Sequence, residues 1–223
     1  MKKMFLVAMA VMLLSTVAMA AGTNMYGESG GYLVPDAQIS QRLMVSTHYV
    51  DLNSTAAGSV SLTGGAFEKV EVGVTRSRAA NINSNVYHAK LGFSFKQKLL
   101  KTSFALGARG ADIQSLSGLN YFDYYLAGQF KLTALNYGLD ITLGTLSSDA
   151  NGKRKYTGFG LLGVGIAKNL SLYGEYKQNT VPAYNNWSVF VRRATAESFV
   201  DFGMMDAGIG QVNQVFFGLG AAL

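Results

Sequence analysis

The sequence predicts an all-β fold: an antiparallel transmembrane β-barrel of about 12 strands, with ten as the alternative count. Only 14% of the 223 residues are charged, against about 25% in an average globular protein. Beyond residue 21, no stretch approaches the roughly 20 apolar residues of a transmembrane helix. Apolar and polar residues instead alternate along most of the chain. A chain of this composition can cross a membrane with strands that close into a barrel.

The first twenty residues have the pattern of an export signal. Lys2 and Lys3 precede an apolar stretch over residues 4–14, and Ala18-Met19-Ala20 then has the small-x-small pattern of a cleavage site. We expect cleavage after Ala20, or one residue later, and a retained anchor helix is the alternative. The predicted organisation is therefore a signal peptide over 1–20, an N-terminal extension or plug over 21–40, and a barrel over 41–223.

Charge and cysteine content narrow the classes of partner. The chain has no cysteine, so an exported form has no disulfides. Its formal net charge of +6 is spread without a basic run, and we therefore expect no nucleic-acid partner. A barrel of this kind is expected to contact outer-membrane lipid, lipopolysaccharide and the barrel-assembly machinery.

Period-two alternation places the strands. Val72 and Val74, for example, alternate with Glu71, Gly73 and Thr75. The predicted strands cover residues 41–50, 58–64, 67–77, 84–97, 101–110, 121–131, 134–146, 155–167, 169–178, 185–193, 197–204 and 212–222. The second is short, which is why ten strands is the alternative. Residues 156–167 carry apolar side chains on both faces, which a bulge or contact with an internal element would explain.

The polar faces of these strands supply the candidate lumen residues. Twelve are predicted to point inward: His48, Lys69, Glu71, His88, Lys90, Arg109, Asp123, Asp140, Glu175, Lys177, Arg192 and Asp201. Such charges fit either a charged pore or polysaccharide track, or a closed lumen in which they pair with one another. Buried charges must pair or meet water, and this favours the closed lumen.

Enzymatic sites receive little support. The two histidines, His48 and His88, stand outside the His-x-Ser spacing of barrel lipases and deacylases. We predict no catalytic residue, metal site or cofactor, and expect a non-enzymatic protein. Two alternatives stay open: a lipid-modifying barrel enzyme that uses one of these histidines, and a soluble periplasmic β-sandwich that binds a ligand.

Short motifs resemble the YjbH-like outer-membrane barrels. The Gly-rich stretch over residues 27–37, which ends in Pro35-Asp36-Ala37, resembles the opening of that family. Residues 67–73, 88–90, 105–107 and 170–176 are similar to its later landmarks. The resemblance covers a single barrel-sized portion of that family. It implies an outer-membrane barrel associated with exopolysaccharide production or export, with polysaccharide as a partner and no catalytic residues to carry over.

Overall fold

The computed structural model describes residues 22–51, 56–67, 69–79, 82–113, 120–134, 137–150, 153–178, 186–206 and 214–223. The predicted signal peptide lies outside these residues. Within them, no helix has the length and apolar character needed to cross a membrane. The strands are β1 (Met44–Asp51), β2 (Ala56–Ala66), β3 (Val70–Ala79), β4 (Ile82–Gln97), β5 (Leu100–Ile113), β6 (Asn120–Ala134), β7 (Tyr137–Ala150), β8 (Lys153–Ala167), β9 (Leu170–Lys177), β10 (Asn186–Ala194), β11 (Ser198–Asp206) and β12 (Gln214–Ala222).

These twelve strands form one closed antiparallel barrel, which confirms the predicted fold class. Each strand pairs with its neighbours in sequence, and β1 pairs with β12 from Met44 opposite Ala222 to Val50 opposite Phe216. The ten-strand count is wrong because β2 is a full strand of 11 residues. The β-sandwich is also wrong, since a single sheet closes on itself and leaves no edge strand.

The two rims of the barrel differ in their connections. At one end, the links β2–β3, β4–β5, β6–β7, β8–β9 and β10–β11 are two or three residues long. We call this end the short-turn rim. Links at the other end range from two residues, between β3 and β4, to eight residues, between β9 and β10. Outer-membrane barrels carry short turns at the periplasmic end and longer loops outside, so the short-turn rim is the periplasmic one.

The alternation in sequence becomes two distinct faces of the wall. Phe93, Leu106 and Leu143 point outward with 55%, 57% and 60% of their surface exposed. On the same strands, Lys90 and Arg109 point inward and are 1% and 2% exposed. A wall with apolar side chains outside and charged ones inside suits lipid on its outer surface.

Strand β8, the stretch with two apolar faces, shows both of the features expected of it. Phe159 and Leu161 point inward, are 5% and 4% exposed, and belong to the buried core inside the barrel. Leu162 and Val164 point outward. The pairing of β8 with β9 also shifts register between Gly165 and Ala167. An internal element therefore accounts for most of this stretch and a bulge for its end.

Candidate functional site: an occupied lumen

Residues 22–40, which we call the luminal segment, lie inside the barrel. Thr23, Glu28 and Tyr32 of this segment are all 0% exposed. Two isolated bridges, Thr23 to Ser29 and Gly30 to Pro35, fold it into turns. Its hydrogen-bond and ion-pair partners are inward-facing side chains from seven strands spread around the wall: Ser46, His48, Thr63, Glu71, Thr75, Lys90, Arg109, Glu175 and Arg192.

Glycines let this segment pass close to the wall. Gly27 has a φ of 86°, a left-handed conformation that glycine adopts without strain. A Cβ atom at Gly31 would overlap the carboxylate of Glu175. Glycines at these two positions are therefore required by the fit of the segment to the wall.

Glu175 on β9 accepts hydrogen bonds from the main chain of the segment. The backbone N–H groups of Tyr32 and Leu33 donate to its two carboxylate oxygens at 2.8 and 2.9 Å. The hydroxyl of Ser188 on β10 donates to the same carboxylate. These hydrogen bonds fix a turn of the segment against β9 and β10.

Glu71 on β3 holds a second turn in the same way. The backbone N–H groups of Ser29 and Ser40 donate to it at 2.9 and 2.6 Å, and the Ser29 hydroxyl also donates to it. Lys90 on β4 completes the environment, with its Nζ 3.2 Å from Glu71 Oε1. Both partners of this pair are buried, so the ion pair is shielded from water.

Cationic side chains bind the carbonyl groups of the segment. Arg192 on β10 donates from Nη1 to the carbonyl of Gly30 at 2.6 Å, while its Nε and Nη2 donate to Asp201 at 2.7 Å each. Lys90 donates to the carbonyl of Ser29 at 3.1 Å. Carboxylates of the wall thus accept hydrogen bonds from the N–H groups of the segment, and cations of the wall donate hydrogen bonds to its carbonyl groups.

Arg109 on β5 connects the segment to the wall through side chains. Its Nη2 lies 2.6 Å from Asp123 Oδ2 on β6, and its Nη1 lies 3.3 Å from Glu28 Oε2 of the segment. Its guanidinium also stacks 4.1 Å from the ring centroid of Tyr26. All three charged groups are nearly or fully buried, so they compensate one another's charges in place of water.

The other side of the segment is apolar. Tyr32 stacks on Phe216 of β12 with ring centroids 3.5 Å apart. Leu33 and Val34 join the same core with Phe190 and Phe159. Burial raises the pKa of the Tyr32 phenol well above its usual value, and the ring therefore stays neutral.

The structure places ten of the twelve candidate lumen residues, all except Lys69 and Lys177, inside the barrel with at most 6% of their surface exposed. Lys177 is half-buried at the end of β9. Lys69 is exposed in the turn before β3, and its inward orientation stays a prediction.

The two histidines make different contacts. His48 Nε2 lies 3.0 Å from the carbonyl of Thr23, and His88 Nε2 lies 3.7 Å from Glu71 Oε1. Neither of these contacts joins a histidine to a hydroxyl group, as nucleophilic catalysis requires. Over the described ranges, no group of three or more His, Asp or Glu could hold a metal ion.

Sequence reasoning missed the acidic residues of the segment and the inward aromatic residues. Glu28 and Asp36 join the charges of the wall, with Asp36 Oδ1 3.9 Å from Lys90 Nζ. Tyr125 and Phe190 point inward and are 2% and 1% exposed. Large rings on a predicted lumen face are the signal that could have indicated a filled barrel, because a water-filled channel favours polar walls.

Solved structures with the same fold are bacterial outer-membrane barrels. The KdgM porin matches with a TM-score of 0.63 and 10% identity, over 81% of this chain and 99% of that chain. The same porin in complex with disordered oligogalacturonate matches with a TM-score of 0.62 at 10% identity, over 81% and 99%. The Acinetobacter baumannii outer-membrane protein Omp33 matches with a TM-score of 0.51 at 10% identity, over 82% and 98%.

No protein-family model and no curated protein sequence matches the chain. Its place in the cell follows from the fold and from the two faces of the barrel wall. Twelve antiparallel strands close with apolar side chains outside and charged ones inside. Such a barrel satisfies its backbone hydrogen bonds between strands and presents apolar side chains to the lipid. The chain is a bacterial outer-membrane β-barrel.

Proposed function

We propose that this protein is a non-enzymatic passage protein of the outer membrane whose lumen is closed by the luminal segment. The observation that carries the proposal is the docking of that segment. Glu71, Glu175 and Arg192 hold it mainly through its backbone N–H and carbonyl groups. The same wall groups would offer donors and acceptors to a solute once the segment withdraws.

The position of the segment provides a route for withdrawal. It joins β1 at Met44, and this end of β1 lies on the short-turn rim. A segment attached on the periplasmic side can leave the lumen in that direction without crossing the wall. Its main anchors are hydrogen bonds and ion pairs, which water or a solute can replace one by one.

We further propose that the passage serves exopolysaccharide export. The motifs that resemble YjbH-like barrels support this assignment, among them the Gly-rich stretch that forms much of the luminal segment. The KdgM porin in complex with oligogalacturonate supports a saccharide as the solute, since that barrel has the same fold.

A reversible cross-link tests whether the segment closes the passage. The Thr23 Oγ1 and Ser46 Oγ atoms lie 2.7 Å apart, one on the segment and one on β1. Because the chain has no cysteine, the double variant Thr23→Cys with Ser46→Cys introduces a single disulfide. In planar bilayers we expect silent channels when it is oxidised and openings after reduction with dithiothreitol.

The matched control places the cross-link within the wall. Ser77 Oγ and Ser84 Oγ lie 2.6 Å apart on β3 and β4, so Ser77→Cys with Ser84→Cys leaves the segment free. We expect its conductance to be the same before and after reduction. Equal conductance of the Thr23–Ser46 pair in both redox states would exclude the segment as the closing element. If neither variant conducted in either redox state, the passage function would be rejected and a structural role in the envelope would be favoured.

A further inference from the structure

We infer that the periplasmic mouth carries a binding site for an anionic oligosaccharide, formed by a row of three lysines on β4, β5 and β6. This inference rests on the proposed passage function and deepens it. In the strand register, Lys96 lies directly opposite Lys101, and Lys101 lies directly opposite Lys131. We call these three residues the lysine row. Lys98 in the β4–β5 turn places the row beside the short-turn rim.

The lysine row is on the lumen side of the wall. Residues two positions apart on a strand share a face, and Ser103 and Gln129 stand two positions from Lys101 and Lys131. Both are buried inside the barrel, with 1% and 2% of their surface exposed. Lys96 stands two positions from Ser94, whose hydroxyl lies 2.9 Å from that of Ser103. The lysine row therefore borders the lumen. Two serines and a glutamine, Ser94, Ser103 and Gln129, lie next to it on the side away from the short-turn rim.

The positive charge of the row is poorly compensated. Lys131 Nζ is 4.0 Å from Asp140 Oδ2, and this carboxylate already accepts two hydrogen bonds from Gln129 at 2.8 and 3.0 Å. Within the described chain, Lys96 and Lys101 form no ion pair. Like charges directly opposite each other on neighbouring strands destabilise a sheet. An unoccupied row thus costs stability, and a bound polyanion removes that cost.

The geometry favours a chain of negative charges over a single small anion. Cross-strand neighbours are about 5 Å apart, so the row extends over about 10 Å at the mouth. The serine hydroxyls and the Gln129 amide next to it are partners for sugar hydroxyls. Because the row faces the lumen rather than the lipid, a solute at the mouth is its occupant rather than a membrane headgroup. Together these features indicate a linear saccharide with repeated carboxylates.

Equilibrium binding to the full-length protein in detergent tests this site without requiring conductance. We would titrate tri-galacturonate by calorimetry, with maltotriose as the neutral control and tripolyphosphate as the non-sugar polyanion. The triple variant Lys96→Gln, Lys101→Gln, Lys131→Gln is expected to weaken tri-galacturonate binding at least about tenfold, which corresponds to about 1.4 kcal/mol. Affinity for the unmodified protein is expected to fall as salt rises.

A charge-matched control separates the row from the general charge of the rim. The variant Lys69→Gln, Lys98→Gln, Lys168→Gln removes three lysines of the same rim outside the row, and we expect less than about a twofold loss. Heat-modifiable gel mobility verifies that each variant is folded. Equal losses in both triple variants, no binding of tri-galacturonate, or preference for tripolyphosphate would each overturn the inference. Row-dependent binding by a protein that is silent in bilayers would uphold the site and reject the passage function.

Discussion

The middle of the lumen and its periplasmic mouth differ in how their charges are arranged: opposite charges are paired in the middle, and like charges are adjacent at the mouth. In the middle, Arg109 meets Asp123 at 2.6 Å and Arg192 meets Asp201 at 2.7 Å, each on the adjacent strand. At the mouth, Lys96, Lys101 and Lys131 face one another across adjacent strands. The first arrangement stabilises the closed barrel and the second destabilises it. In the closed barrel the charges in the middle therefore have partners, whereas those at the mouth are available for a ligand.

Removal of a cation from the middle should have the largest effect. Arg109→Met leaves Asp123 and Glu28 without their main partner, and both are fully buried. An uncompensated buried charge costs about 3–5 kcal/mol. We expect a loss of that size in urea unfolding in lipid vesicles, followed by the fluorescence of the single tryptophan, Trp187.

An exposed ion pair supplies the control for this variant. Arg154 lies 3.9 Å from Asp149, with side-chain exposures of 55% and 35%. Exposed pairs contribute about 0–1 kcal/mol, so Arg154→Met should leave the free energy of unfolding nearly unchanged. If the two methionine variants unfolded alike, the charges of the middle would not be the ones that hold the fold.

The fit of the segment to the wall can be broken by one side chain. Gly31→Val places carbon atoms where the carboxylate of Glu175 lies, and such overpacking costs about 1–3 kcal/mol. We expect the segment to leave its site and the bilayer conductance to rise. Gly174→Ala is the control, because no heavy atom lies within 4 Å of its added Cβ. A silent Gly31→Val barrel that is still folded would contradict closure by this segment.

A smaller effect is expected when one anchor loses a hydrogen-bond acceptor. In Glu175→Gln the side chain keeps one carbonyl oxygen, but an amide NH₂ group replaces the second oxygen that accepts from the N–H groups of Tyr32 and Leu33. A hydrogen bond of this kind contributes about 1 kcal/mol. The fraction of open time in bilayer recordings should rise about fivefold. Unchanged gating would show that this carboxylate does not set the stability of the closed state.

The wall could be predicted from sequence because its signal is local. Alternation alone gave twelve strands and the inward position of residues such as Glu71 and Asp201, since successive side chains of a strand point to opposite faces. A plug was one of the two predictions for residues 21–40, but the contacts of the luminal segment with the wall were not predictable. Tyr32 and Glu175 are 143 residues apart in the chain, and a main-chain hydrogen bond has no residue-type signature.

The lysine row illustrates the same limit within the sheet. Alternation assigns Lys101 to a face, but only the strand register brings Lys96 and Lys131 opposite it. Register depends on turn lengths and on the pairing of whole strands, and predicted boundaries that err by a few residues do not determine it. Lys69 shows how such an error arises, because β3 begins one residue after it and the predicted strand begins two residues before it.

The smallest predicted effect has the opposite sign to the first. Lys101→Gln removes the central charge of the row and should raise the free energy of unfolding by about 0.2–1 kcal/mol, the range of a cross-strand pair. Lys168→Gln on the same rim, outside the row, should not. High salt should erase the difference, since the Debye length falls to about 3 Å at 1 M. Destabilisation by Lys101→Gln would mean that the lysines already have partners, and the mouth would then resemble the middle. Stabilisation would show that this barrel keeps an unfavourable row of charges, which is what a binding site at the mouth requires.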